Sequence, residues 1–163
     1  MWSRRRVLGA VAALPSLAGC GFAPVYAPGG GGLPLRGAVR AAEPRDDDAF
    51  AFVRRLEERL GRPEAPRFDL AYALALSEVA LAIDGSDNIT RLNVEGRLDW
   101  SLAPAEADAP LLSGTETAFT GYSAPDSTIS TLASRRDAER RLAIILADKV
   151  VTRLLAAAPA LAG

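Results

Sequence analysis

The stretch Ile89–Leu102, ITRLNVEGRLDWSL, decides how this chain is read. Leu92, Val94, Leu98, Trp100 and Leu102 fall on one parity, and Arg91, Asn93, Glu95, Arg97 and Asp99 on the other. Successive side chains of a strand point to opposite faces, so this period of two predicts a half-buried strand, apolar toward a core and polar toward water. Trp100 lies on the apolar parity and reads as a core residue before it reads as a platform for a ligand.

Further strands flank this one. Upstream, Phe68, Leu70, Tyr72, Leu74 and Leu76 alternate, and the apolar parity then changes to Val79, Leu81 and Ile83. A strand cannot change face without an irregularity, which puts a bulge or break near Ser77–Glu78. The intervening DGSDN, Asp84–Asn88, has the composition of a turn. Downstream, APAEADAP (Ala103–Pro110) reads as a polar loop, and Leu111–Tyr122 as a fourth strand rich in Ser and Thr. That strand has a weaker face preference, and both a plain edge strand and a strand with Phe119 and Tyr122 against a partner fit it. Near the start of the domain, Leu33, Leu35, Val39 and Ala41 alternate with more polar neighbours and predict a first, short strand.

Two segments carry a helical period instead. Within EPRDDDAFAFVRRLEERLG (Glu43–Gly61), Ala49, Phe52, Val53, Leu56 and Leu60 form one stripe. Asp46 or Asp47 is the expected cap, the acidic cluster suits the positive end of the helix dipole, and Gly61 and Pro63 mark the stop. From about Ser127 to Ala157 the apolar side comprises Ile129, Leu132, Ala138, Leu142, Ile145, Leu146, Val150 and Leu154, with Pro159 beyond the expected end. Arg135–Glu139 and Asp137–Arg141 are oppositely charged i,i+4 pairs on its exposed side. The order is βαβββα. One apolar sheet face and one apolar stripe per helix imply an α+β, two-layer sandwich: a four-stranded, mostly antiparallel sheet packed on two helices. The last three strands should form a meander, with the first joined in parallel through the crossover helix.

The N-terminus reads as an address. Met1–Arg6 is basic, and Val7–Gly19 (VLGAVAALPSLAG) is uncharged, apolar and too short for the roughly 20 residues of a bilayer span. SRRRVL, Ser3–Leu8, resembles a twin-arginine export signal, and an arginine-rich general secretory leader fits it as well. LAGC, Leu17–Cys20, resembles a bacterial lipobox, in which the chain is cut between Gly19 and Cys20 and the thiol of Cys20 carries diacylglycerol. The other reading of a lone cysteine is a buried core thiol. Gly21, where an Asp would signal retention, favours transfer to the outer membrane by resemblance to lipoprotein sorting signals. The organisation expected is a leader over 1–19, a lipid-anchored tether over 20–32 containing Gly29–Gly32, a single domain over 33–158 and a tail over 159–163. Phe22, Val25 and Tyr26 are unusual in a pure tether, and either dock on a partner or lie on the domain.

Composition narrows the function. None of the 163 residues is histidine, so the commonest general base and metal ligand is missing. A single cysteine makes neither an internal disulfide nor a thiolate zinc site. The serines in LSG and GYSAP lack the nucleophile-elbow pattern and a histidine to activate them. The expectation is therefore a non-catalytic protein with no metal and no cofactor beyond the covalent lipid on Cys20. The formal net charge of −1 becomes −4 once Arg4, Arg5 and Arg6 leave with a leader that holds no acid. This argues against a nucleic-acid partner, whose binding rests on many phosphate contacts.

The lipobox cysteine followed by CGFAPVY, the element order, ITRLNVEGRLDWSL, and the arginine-rich ASRRDAERRLAIILADKVVTRL together resemble the LptE family, in its alphaproteobacterial form. The resemblance implies a lipoprotein on the periplasmic leaflet of the outer membrane. It also implies a partner, the LptD β-barrel, which such proteins plug and help to assemble for lipopolysaccharide insertion into the outer leaflet. Lipopolysaccharide contact through basic residues is implied too. Arg91 and Arg97 are the candidates on the third strand, since guanidinium pairs with lipid A phosphate bidentately; both also read as solvated arginines balanced by Glu95 and Asp99. Arg135, Arg136, Arg140 and Arg141 form a basic patch in sequence, or an ordinary solvated helix face. The competing function is a periplasm-facing lipoprotein that binds or presents lipid without a barrel, which needs an apolar cavity between sheet and helices.

Overall fold

The computed structural model describes residues 24–27, 30–83, 89–107, 109–123 and 128–161. Gly19 and Cys20 lie outside the described residues, as does the Asp84–Asn88 turn. Strand β1 (Val39–Ala41) is followed by helix α1 (Asp47–Leu60), strands β2 (Phe68–Ile83), β3 (Ile89–Pro104) and β4 (Leu112–Ser123), and helix α2 (Thr128–Leu161). The four strands form one sheet in the order β1-β2-β3-β4. β1 is parallel to β2, and the β2–β3 and β3–β4 pairs are antiparallel. This is the expected βαβββα sandwich.

β3 alternates as its sequence dictates: Leu92, Val94, Leu98, Trp100 and Leu102 are buried against the helices, while Arg91, Glu95, Arg97 and Asp99 are exposed on the other face. Gly96 shares the buried parity and marks the closest approach of α2. A β-carbon there would lie 2.9 Å from a Leu146 methyl and 3.0 Å from one of Leu142, so the absence of a side chain is what lets the helix settle onto the strand. Around that point Phe52 and Leu56 of α1 and Leu142, Leu146, Val150 and Leu154 of α2 are fully buried with Leu98 and Leu102. Each such side chain contributes roughly 1.5–3 kcal/mol by leaving water.

The Asp46 carboxylate accepts from the Ala49 amide at 2.7 Å and starts α1, while Gly61, at φ 85°, ends it. Asp148 of α2 locks the two helices together: Arg55 donates to both of its oxygens at 3.1 Å, and Arg59 to one at 2.7 Å. Tyr26 donates its hydroxyl to the Arg59 carbonyl at 3.1 Å, and Gly32 packs between Val25 and Leu155. Val25 and Tyr26 thus lie on the domain.

Three sequence expectations are corrected. Leu33–Leu35 is a 3-10 turn, not strand, because Pro34 has no amide for a ladder and Gly37, at φ 67°, turns the chain before Val39. The irregularity in β2 falls between Ala80 and Ile83 rather than at Ser77–Glu78, and Ser77, Glu78 and Val79 stay in register with Glu95, Val94 and Asn93. Glu78 therefore remains on the helix side, where Tyr122 and Arg135 receive it, and Val79 is turned outward. Finally, α2 continues through Pro159 to Leu161. A proline this close to a helix end costs one backbone bond near a terminus that already leaves carbonyls unmatched, and its ring packs 3.3 Å from the position of a β-carbon on Gly31.

Candidate functional site: the uncovered sheet face and its arginines

Both helices pack on one side of the sheet, so the other side carries no described element. Its floor is set by register. Ala71, Ala73, Ala75, Ser77 and Val79 of β2 lie beside Ser101, Asp99, Arg97, Glu95 and Asn93 of β3, which lie beside Ser113, Thr115, Thr117, Phe119 and Gly121 of β4. One flank is a stripe of small residues, the other is hydroxyl-rich, and among these positions charge is confined to β3. Phe119 is 69% exposed on this face and Val79 40% exposed. Ala75, Ser77, Glu95, Arg97, Thr117 and Phe119 border a shallow depression of about 660 Å³.

The charges on this face are largely matched within it. Arg97 donates to both carboxylate oxygens of Asp99, at 3.0 and 2.8 Å, and to the Thr115 hydroxyl at 3.2 Å. Thr115 in turn donates to Asp99, and these two donors hold the Asp99 carboxyl below its ordinary range, Thr115 foremost. At the other end Arg40 grips Asp69 at 2.7 and 2.9 Å and lowers that carboxyl as well. Arg91 differs from Arg97. It is exposed, stands opposite Ser123 in the ladder, and makes no ion pair with a described residue.

The four helix arginines differ in what they meet. Arg135 turns toward the sheet, 2.8 Å from Glu139 and 3.4 Å from Glu78. Glu78 also accepts from the Tyr122 hydroxyl at 2.7 Å, and burial first, then this bond, pushes the Tyr122 phenol up to about 12. Arg141 pairs with Asp137 at 3.4 Å and donates to the Gly121 carbonyl at the β4 edge at 3.3 Å. Arg140 lies near Asp48 of α1, whose carboxyl is raised chiefly by burial and by Glu139, with Arg140 opposing. Arg136 is exposed, and neither it nor Arg140 makes an ion pair with a described residue. An advance of about 100° per residue separates Arg135 from Arg136 and Arg140 from Arg141, while Arg136 and Arg140, four apart, share one face of the helix.

Trp100 is core, its indole lying over Gly114, where a β-carbon would come within 3.0 Å of the ring. Tyr122, left open in the sequence between core and partner contact, faces α2; Phe119 faces away from it. Sequence reading missed Asp148, Lys149 and Arg153, which reach Arg55, the Thr117 carbonyl and Glu116 respectively. Their partners are 32 to 93 positions distant, and the only sequence signal was charge interrupting the apolar run of α2. Among the described residues, no three His, Cys, Asp or Glu side chains gather to hold a metal ion, and no helix is long and apolar enough to cross a membrane.

Among solved structures, a Caulobacter crescentus CB15 protein assigned as a lipoprotein shares this fold at 16% identity, TM-score 0.65, over 79% of this chain and 96% of that one. Rare lipoprotein B from Shewanella oneidensis superposes at TM-score 0.60 with 10% identity, over 77% of this chain and 98% of that one. A minor lipoprotein from Acinetobacter baumannii gives TM-score 0.53 at 14% identity, over 73% and 89%. No curated protein sequence matches. The model of the LptE family, described as lipopolysaccharide-assembly, matches residues 38–154, from the residue before β1 to the buried Leu154 of α2, and the chain belongs to that family.

Proposed function

We propose that this protein is an outer-membrane lipoprotein, anchored on the periplasmic leaflet through Cys20, that binds within an LptD-like β-barrel, plugs it and assists its assembly for lipopolysaccharide insertion. The observation that carries this reading is the family match across nearly the whole folded domain. The uncovered sheet face supports it. An antiparallel face turned to water is ordinarily polar, and this one is polar at its centre, yet it exposes Phe119 and Val79 and has an alanine stripe along β2. Small side chains and internally matched charges suit a surface that another protein wall approaches closely, because little must be desolvated unpaired.

The anchor follows from the same arithmetic as any lipid modification. Each buried CH₂ contributes roughly 0.8 kcal/mol, one chain holds only marginally, and several chains on Cys20 hold the protein to the leaflet. Lipopolysaccharide contact is assigned to Arg91, whose guanidinium has no described carboxylate to leave. The barrel-free lipid carrier is disfavoured by the filled sheet–helix interface, where Leu98, Leu142 and Leu146 are fully buried over Gly96. Depleting the protein in its native host should lower the amount of correctly assembled barrel; unchanged barrel levels would contradict the assembly role.

A further inference from the structure

The free edge of β4 carries the inference. Among the described residues β4 pairs only with β3, so one side of this 12-residue strand has no described strand beside it. Its sequence, LSGTETAFTGYS, is rich in Thr and aromatic residues and has one acid, the composition that pairs readily with another strand. The parity of the edge is fixed by hydrogen bonds. The Leu102 carbonyl accepts from Leu111, which turns Leu102 and the even positions of β3 toward β4. The even residues of β4 face them, so the amides and carbonyls of Ser113, Thr115, Thr117, Phe119 and Gly121 point outward.

Two of those outward carbonyls are occupied. Lys149 of α2 reaches round the edge and donates to Thr117 at 2.6 Å, and Arg141, two helical turns earlier, donates to Gly121 at 3.3 Å. An incoming strand would need both carbonyls as acceptors. It would also have to displace an ammonium and a guanidinium that lie in its path. On the opposite side β1 pairs only with Phe68, Asp69 and Leu70, so β2 beyond Leu70 has no described strand beside it there and no such cationic donors to its backbone are seen among the described residues.

We propose that Arg141 and Lys149 are edge guards: they close the outward side of β4 and prevent a second copy of this chain from adding to the sheet strand to strand. This goes beyond the barrel-plug reading and does not depend on it.

The test uses the full chain, purified in mild detergent, with protein mass measured by light scattering over a concentration series and backbone protection by amide hydrogen exchange. Arg141→Ala with Lys149→Ala should raise the protein mass from one chain toward two or more as concentration increases, and should slow exchange at the outward amides of Thr117, Phe119 and Gly121. The exchanged pair Arg141→Lys with Lys149→Arg should stay monomeric, because both carbonyls keep a cationic donor. Adding Phe119→Pro to the alanine pair removes one outward amide and no ladder bond to β3, and should return the mass to one chain. The proposal is overturned if the alanine pair stays monomeric with a native circular dichroism spectrum. It is equally overturned if the alanine pair associates while the outward amides exchange as fast as before, whatever Phe119→Pro does.

Discussion

Leu146 of α2 occupies the space that a side chain on Gly96 of β3 would fill, its methyl 2.9 Å from where a β-carbon would stand. The helix is seated on the middle strand at the one buried position that has nothing to bury. Gly96→Ala should therefore destabilise the fold by about 1–3 kcal/mol through overpacking, despite the better strand propensity of alanine. Urea denaturation should show a lower midpoint at an unchanged slope; a midpoint equal to wild type would mean that α2 is not held against the strand.

The Tyr122 phenol gives the protein an alkaline limit. Its folded value of about 12 stands above the ordinary value near 10, so the folded state holds this proton more tightly than the unfolded chain does. The resulting stability is complete below about pH 10 and is lost as pH rises toward 12. Tyrosinate absorbance should show Tyr122 ionising last or only on unfolding, and Tyr122→Phe should flatten the fall in stability over that window relative to wild type. An equally steep fall in the variant would show that Tyr122 is not held protonated by its burial and its bond to Glu78.

Arg91 and Arg97 share a strand face but not a situation. Arg97 is committed to Asp99 and Thr115, and Arg91 makes no ion pair with a described residue. Arg91→Asp should weaken lipopolysaccharide binding severalfold, with the loss shrinking as salt is raised, while Arg97→Ala should change it little. Equal affinity for wild type and Arg91→Asp would remove Arg91 from the contact.

For the anchor, Cys20→Ala should abolish incorporation of labelled fatty acid and leave the uncut precursor. A variant still cut and labelled would place the lipid elsewhere.

Much of this architecture is legible in the sequence, for physical reasons that differ by element. β3 declares itself because one of its faces is dry and the other wet, which imprints a period of two on the sequence. α1 declares itself through its apolar stripe and the Asp46 cap. The parity change after Leu76 was misleading because Val79 is apolar on the wet face and Glu78 is charged on the dry one. What reverses the expectation is Tyr122, 44 residues away. The same holds for the arginine patch. Four arginines within seven positions look like one surface, yet Glu78 and Glu139 engage Arg135 and Asp137 engages Arg141, which leaves Arg136 and Arg140, four apart on one face of α2, without an ion pair to a described residue. The edge guards could not be read at all, because they act on backbone carbonyls, which leave no trace in residue identity.

The central claim is that this domain functions inside a barrel, and co-purification tests it most directly. From outer membrane solubilised in gentle detergent, the tagged protein should bring down a large β-barrel in a one-to-one ratio, and Phe119→Asp, on the β4 side of the uncovered face, should lower that yield without unfolding the domain. Recovery of the wild-type protein alone, with no barrel at any detergent strength that keeps it folded, would contradict the account.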